Sequence, residues 1–448
     1  MSADRFRRAA IGSMLALGCC CALADDLMEV HRKASERDTV LRAAAYALQM
    51  ANERVPQARA GLLPALSLVG GTGRQEGRAS FGEEPYEDRN ARNWNWNLQL
   101  TQPLWRAASW AALGVAAQEE RLAQEQFRLA EQELALRVTQ SYLDVLVAQE
   151  AARVAGLQVD AIDQQLALAR RNFEVGTATV TDVHEAQSRL DLSRAQAIAA
   201  RNDLEGRRTE LERILGEPVE RLASLRDDGR MPAADPNNAQ EWVDSARAQS
   251  LQVRIAQAAR EVAAREVERS RAAHSPSLDL TAGYGTNYGS GSVSSPANIA
   301  VRSRSGQIGV SFSMPLYAGG GVQARVREAI AAQGRAEEEL EAARRQAAAT
   351  ARQAFAGVVN GRAQIDALDS AIRSSKSSLE ANRIGYRIGT RINIDVLNAQ
   401  QQLYAAQRDW HKARAETLMQ GLRLKAANAS LDATDLQAIN DLLKDDTP

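Results

Sequence analysis

The side chains best equipped for metal binding or proton transfer in this 448-residue chain are four histidines: His31, His184, His274 and His411. No two of them stand at the spacing a metal site needs. The three cysteines, Cys19, Cys20 and Cys21, sit together in one apolar run near the N-terminus and supply no Cys/His ligand set. Gly319-Gly320-Gly321 follows a strand-like stretch but lacks the Lys-Ser/Thr of a phosphate loop, and reads as a bend from strand into helix. With no nucleophile–base pair, metal set or cofactor motif, the sequence points away from an enzyme and requires no cofactor. The chemistry it does carry is partition between solvents. In "NWNWNLQLTQPL" (93–104), Trp94, Trp96, Leu98 and Leu100 alternate with Asn93, Asn95, Asn97, Gln99 and Thr101. A strand there has one apolar face and one wet, uncharged face.

Most of the chain around this strand has the composition of long helices. It is 45% hydrophobic and 25% charged with only 4% aromatic residues. A formal net charge of -1, without a Lys/Arg-rich block, gives no reason to expect nucleic acid. At the N-terminus Arg5, Arg7 and Arg8 precede an apolar run to Ala22, and Ala22-Leu23-Ala24 fits a cleavage site, so residues 1–24 read as a signal peptide. Gly18-Cys19 is a poorer match to a lipoprotein site, because of the upstream Ala16-Leu17, and leaves lipidation of Cys19 open. Beyond residue 24 no stretch of about 18 apolar residues occurs, so entry into a membrane would have to be as strands.

The chain is internally duplicated. "FEVGTATVTDVHEAQSRL" (173–190) aligns with "YRIGTRINIDVLNAQQQL" (386–403) through Gly176/Gly389, Thr177/Thr390, Asp182/Asp395 and Leu190/Leu403, all 213 positions apart. Upstream, "LLPALSLVGGTG" matches "HSPSLDLTAGYG" and "LQLTQPLW" matches "VSFSMPLY", offset by 212 through Pro64/Pro276 and Pro103/Pro315. The first repeat spans 25–226: a helix, a β-hairpin at 64–103, and a long helical hairpin with its tip at 174–181. A connector (227–238) leads to the second repeat (239–430), with a hairpin at 276–315 and a tip at 387–394, and then to a C-terminal segment (431–448). The hairpin loops are expected at about 77–92 and 286–305.

From Ala107 to about Asn172 no proline occurs, and roughly 65 helical residues would extend on the order of 100 Å. Steps of four and three from Leu134 through Val138, Ser141, Val145, Ala148, Ala152, Ala155, Val159, Ile162, Leu166 and Ala169 to Phe173 are apolar except for Ser141. That is a coiled-coil seam. Four strands cannot close a barrel, and an open sheet edge in lipid leaves backbone groups unpaired at several kcal/mol each. Two copies would give eight strands with a filled interior, and three would give twelve, wide enough for a lumen. A trimer is therefore the smallest assembly that explains an amide-lined face. The competing reading is a secreted coiled-coil scaffold with soluble hairpins. The uncharged polar face and the Trp94/Trp96 face weigh against it, and 65-residue helices weigh against a stand-alone diffusion porin.

With the paired tips "VGTATVTDV" and "IGTRINIDVLNAQQQLY" and the strand motifs "LLPALSL", "LQLTQPL" and "VSFSMPLYAGGG", the mature chain resembles the TolC-type outer-membrane channel-tunnels of efflux and type I secretion. The resemblance implies a mostly α chain whose antiparallel coiled-coil hairpins form an α-barrel. Its four strands would contribute to a trimeric twelve-stranded β-barrel in the outer membrane of a Gram-negative bacterium, with a large periplasmic part. The implied function is a passive exit duct joined by a periplasmic adaptor (membrane fusion) protein to an inner-membrane ABC or proton-driven exporter. Whether the cargo is a protein toxin or small drugs, and whether the resting state is open or closed, stays undecided.

The resemblance also assigns sites. Adaptor tips would dock at Val175, Gly176, Thr177, Ile388, Gly389 and Thr390, where glycine permits the tight chain reversal. A gate latch would link Tyr386 and Arg391 to Thr181 and Asp182. Three copies of Asp395 facing a narrow axis would make a cation-favouring acidic ring. One turn further on, where close relatives carry a second acid, this chain has Asn398, so the ring's charge would be thinner. The competing role for Asp395 is that of a helix N-cap.

Overall fold

In the computed structural model, which describes residues 25–219, 221–226 and 231–444, helix and strand boundaries fall at proline, glycine and capping residues. The signal peptide and the Cys19 question lie outside the described residues. The elements, in order, are α1 (Leu27–Arg37), α2 (Thr39–Ala60), β1 (Ala65–Ala79), β2 (Glu87–Arg106), α3 (Ala107–Glu174), α4 (Val180–Leu215) and β3 (Ser224–Leu225). There follow α5 (Ala239–Gln249), α6 (Leu251–Ala272), β4 (Ser277–Gly289), β5 (Val301–Ser313), α7 (Gly321–Arg387), α8 (Asn393–Ala427), α9 (Ala433–Asn440) and β6 (Leu443–Lys444). No described helix is long and apolar enough to cross a membrane.

The two hairpins join into one antiparallel sheet of order β1-β2-β4-β5. β1 and β4 begin directly after Pro64 and Pro276. β2 does not stop at Pro103 but continues to Arg106, with a register shift between Pro103 and Trp105. A bulge there accommodates a residue that has no N–H to give the ladder. At the far end the strands run beyond their expected limits, to Ala79 and from Glu87 in the first hairpin and to Gly289 and from Val301 in the second. The loops shrink to 80–86 and 290–300. Their charged flanks look loop-like in sequence, yet pair across strands, as in the Arg78–Asp88 contact at 2.6 Å.

α3 and α4 form one antiparallel hairpin and α7 and α8 the other, while α2 and α6 pack on the strand-proximal ends of α3 and α7. The seam is buried at Leu134, Val138, Ser141, Val145, Ala148, Ile162, Leu166 and Ala169, all below 9% exposure, but not at Phe173, which is 47% exposed. At the tip-proximal end Ile162, Leu166 and Ala169 face Ala186 and Leu190 of the return helix. α7 relies on alanine (Ala347, Ala348, Ala351 and Ala354 are buried), which permits close helix approach.

The largest apolar core lies midway along the helices. Leu134, Val138 and Leu143 of α3 meet Leu27 and Val30 of α1, Leu211 and Leu215 of α4, Leu418 and Leu422 of α8, and Leu436 and Ile439 of α9. The Tyr142 hydroxyl, fully buried there, donates to the Ala223 carbonyl at 2.9 Å. The C-terminal segment is thus built in. α9 is closed by an Asp432/Asp435 capping box, and β6 pairs with β3. Lys33 hydrogen-bonds Asp25 at 2.9 Å and reaches Glu217 at 3.4 Å, and the Asp25 bond raises its pKa.

Candidate functional site

Register sorts the sheet's side chains into two faces, because directly opposed residues share a face. One face carries Asn93, Asn95, Asn97 and Gln99 of β2, with Asn287 of β4 opposite Asn95 and Ser303, Ser305, Gln307 and Ser311 on β5. Glycines stand beside these amides. A Cβ on Gly71 would lie 2.9 Å from Asn95 Oδ1, and one on Gly73 only 2.5 Å from Asn93 Oδ1. The charges on this face are paired: Asp279 is held by Arg106 at 2.7 Å, and near the loop Arg89 lies 3.6 Å from Glu87. The other face is apolar and open to solvent in a single chain: Leu66, Leu68, Ile308, Val310 and Phe312 are 59–77% exposed. Trp94 stacks on Tyr288 (5.7 Å between centroids) and Trp96 meets Tyr284 edge-on (5.8 Å). From Trp94 to Trp105 the strand advances about 36 Å, or about 28 Å along the normal at the usual tilt, close to the apolar band of a membrane barrel.

At the other end of the helices the two tips fold alike. Gly176 (φ 79°) and Gly389 (φ 80°) take the left-handed conformation that reverses the chain. Thr177 and Thr390 close the turns, their amides donating to Asn172 O (2.8 Å) and Gly385 O (2.9 Å). Val175 and Ile388 project 72% and 69% exposed, joined by Val180 and Ile392 at 51% and 61%. Each tip thus presents two largely exposed apolar side chains to water.

The four residues assigned to a latch are not brought together within one chain. Asp182 is engaged in its own helix start, where its carboxylate accepts from the Thr179 amide (2.9 Å) and hydroxyl (2.8 Å) as half of a capping box. Thr181 is exposed beside it. The Tyr386 hydroxyl accepts from Asn172 Nδ2 at 3.2 Å, and Arg391, in the turn before α8, lies 3.8 Å from Asp395 in the first turn of that helix. The N-cap of α8 is Ile392, with no side-chain cap bond, so Asp395 sits at the third helical position and is not a cap. Asn398 accepts from Arg189 at 3.2 Å, linking α8 to α4.

Sequence reasoning missed the bonds that tie the two hairpins together. Asn393, fully buried, accepts from Gln165 Nε2 at 2.6 Å and donates to the Asp182 carbonyl at 3.2 Å. Single amides inside helices give no spacing signal. The available hint was that Asn393 follows the tip where its counterpart Val180 is apolar. No group of His, Cys, Asp or Glu suited to a metal ion occurs among the described residues.

A chain with one amide-faced, one lipid-suited sheet face and two matched helical hairpins defines a membrane channel subunit, and the comparisons place it. The chain belongs to the outer membrane efflux protein family, whose model matches twice, over residues 30–217 and 242–430. It is 32% identical to outer membrane protein TolC of Vibrio cholerae serotype O1, over 94% of each chain. It is 29% identical to the proteases secretion protein PrtF of Dickeya chrysanthemi, over 93% of this chain and 91% of that protein. Its fold matches the crystal structure of the outer membrane protein VceC from V. cholerae, with a TM-score of 0.74, 17% identity, and coverage of 90% and 95% of the two chains. The protein is accordingly placed in the Gram-negative outer membrane.

The amide bridge makes a specific expectation. Replacing Asn393 with Ala leaves Gln165 unpaired inside the hairpin interface, at a cost of about 1–3 kcal/mol. Hydrogen exchange of purified protein should show faster opening of 160–175 and 385–400, with the mid-helix core unchanged. Unaltered protection at the tips would show that the bridge does not hold the hairpins together.

Proposed function

We propose that three copies of this chain form the passive exit duct of a tripartite exporter. In this reading the amide face lines the lumen, the apolar face meets lipid, and a periplasmic adaptor engages the helical tips. The observation that carries it is the four-stranded sheet itself. Its edge strands β1 and β5 each have one neighbour, and its apolar face is exposed. Closure by copies of the same sheet satisfies both. A secreted scaffold would leave that face in water. Relatives named for protease secretion and for efflux support a duct serving type I secretion or drug efflux, powered by an ABC or proton-driven pump in the inner membrane.

The exposed tip pairs Val175/Val180 and Ile388/Ile392 support adaptor docking around Gly176-Thr177 and Gly389-Thr390. Val175→Lys with Ile388→Lys should leave trimer assembly intact and abolish co-purification of the cognate adaptor and export. Retained co-purification would move the docking site elsewhere.

Gating would use contacts between copies. Arg391 is 60% exposed, and its bond to Asp395 is long, which leaves it able to reach Thr181 or Asp182 of a neighbour. Each such exposed link is worth only about 0.5–1 kcal/mol, so an adaptor has little to overcome, and threefold symmetry multiplies the links. Arg391→Ser combined with Tyr386→Phe is expected to raise single-channel conductance in planar bilayers; an unchanged value removes the latch.

Asp395, with its carboxylate not committed to capping, fits a three-membered acidic ring near the mouth. Asp395→Ala should shift the reversal potential in a salt gradient toward zero as cation preference is lost. An unshifted reversal potential would exclude the ring.

A further inference from the structure

The apolar face of the sheet carries, at its loop end, a cationic cluster that conduction does not use. Arg74 stands directly opposite Arg92 in the β1–β2 ladder. Arg302 is directly opposite Tyr288, which is directly opposite Trp94. Arg304 lies two residues along β5, opposite Thr286. All four are even-numbered positions of their strands and so share a face with Leu66, Leu68, Leu98, Ile308 and Val310, and all four are exposed. Glu76 pairs with Arg74, while Arg92, Arg302 and Arg304 form no ion pair among the described residues.

Two arginines directly across a ladder repel each other and weaken the pairing. Glu76 offsets the charge of Arg74, which leaves Arg92 calling for an anion. Depth says where that anion comes from. Arg302 lies over the rings of Tyr288 (5.6 Å) and Trp94 (5.9 Å). Stacked Trp and Tyr on a lipid-facing surface mark the boundary between hydrocarbon and headgroups. Arg302 sits at that boundary and Arg74 and Arg92 just beyond it, at the end of the sheet remote from the helices, hence in the outer leaflet. Arg304, level with Trp96, stands one pair inside it, a depth from which a long arginine side chain can reach the headgroups. A guanidinium held over aromatic rings still has N–H groups to donate, and its fork matches two phosphate oxygens.

We propose that Arg74, Arg92, Arg302 and Arg304 bind the phosphate groups of an anionic outer-leaflet glycolipid, of the bisphosphorylated disaccharide type. Arg74 lies on edge strand β1 and Arg302 and Arg304 on edge strand β5. Closure of the trimer, on which this point rests, would bring β5 of one copy beside β1 of the next and complete one site at each of three seams. The lipid would then seal the joints between subunits.

The test titrates purified trimer in nonionic detergent with bisphosphorylated lipid A, the same lipid enzymatically dephosphorylated, and inorganic pyrophosphate, read by native mass spectrometry. Wild-type protein should bind lipid A. Arg92→Gln with Arg302→Gln should bind it about 30-fold more weakly, at about 1 kcal/mol per interfacial arginine. The dephosphorylated lipid should match that weaker binding, and pyrophosphate should bind far more weakly than lipid A. Arg335→Gln with Arg345→Gln, which removes the same charge from α7, should behave as wild type. Equal binding by wild type and the sheet double variant, no preference for the phosphorylated lipid, pyrophosphate binding as tight as lipid, or equal loss in the α7 variant would each overturn the proposal. Trimer migration and conductance of the sheet variant, expected at wild-type values, separate its failure from failure of the duct.

Discussion

A strand edge in hydrocarbon has nowhere to send its N–H and C=O groups, and the rest of the molecule is arranged around that constraint. The sheet is long enough to cross an apolar band, yet it ends at β1 on one side and β5 on the other. Water would satisfy those edges, but the same strands expose Leu68, Ile308 and Phe312, which water penalises. Repetition of the chain around an axis removes both problems together. It also decides which face is inside: the one on which asparagine and glutamine alternate with glycine, wet but without net charge.

The duplication then solves a problem of length. In the proposed trimer, six hairpins would meet at one mouth only if their tips reach the same level. α3 has 68 residues and α7 has 67, while their return helices have 36 and 35. One residue is about 1.5 Å of helix, so the two hairpins end nearly flush. The mid-length core, where α1, α9 and the short β3–β6 ladder gather on α3 and α8, breaks the twofold sameness. It supplies a belt of packing at the level where the return helices α4 and α8 end.

Much of this was legible in the residues. Strict alternation from Asn93 to Thr101 announced a two-faced strand, and the 3.5-residue seam announced the burial of Val138, Val145, Ile162 and Leu166. The rest was hidden for physical reasons. The ends of the strands near Arg74, Arg92 and Arg302 carry charge, which in sequence looks like loop, because only the register reveals that those charges belong to a ladder. α1, α5 and α9 are too short for periodicity to register. The bonds from Asn172 to Tyr386 and from Gln165 to Asn393 join residues more than 200 positions apart, and nothing local marks an amide as half of such a pair. Phe173 continued the seam by spacing, but the hairpin had already begun to turn, and the side chain is left at the surface.

The two tips, descended from one sequence, differ at the residues on which the proposed gate rests. Thr179 and Ile392 occupy the same position, as do Asp182 and Asp395. In the first tip the threonine hydroxyl and the aspartate close a reciprocal capping box, which engages one carboxylate oxygen of Asp182 and pins the start of α4. In the second the threonine is replaced by isoleucine, no side chain caps α8, and the aspartate is left with a 3.8 Å contact to a mostly exposed arginine. A capping box is worth about 1 kcal/mol to its helix end, comparable to an exposed ion pair. Loss of the box therefore costs α8 little and leaves one charge of each sign available at its mouth-facing end. The asymmetry leaves the start of α4 held by side-chain caps and the start of α8 held by none, with the Gln165–Asn393 bond joining the two hairpins.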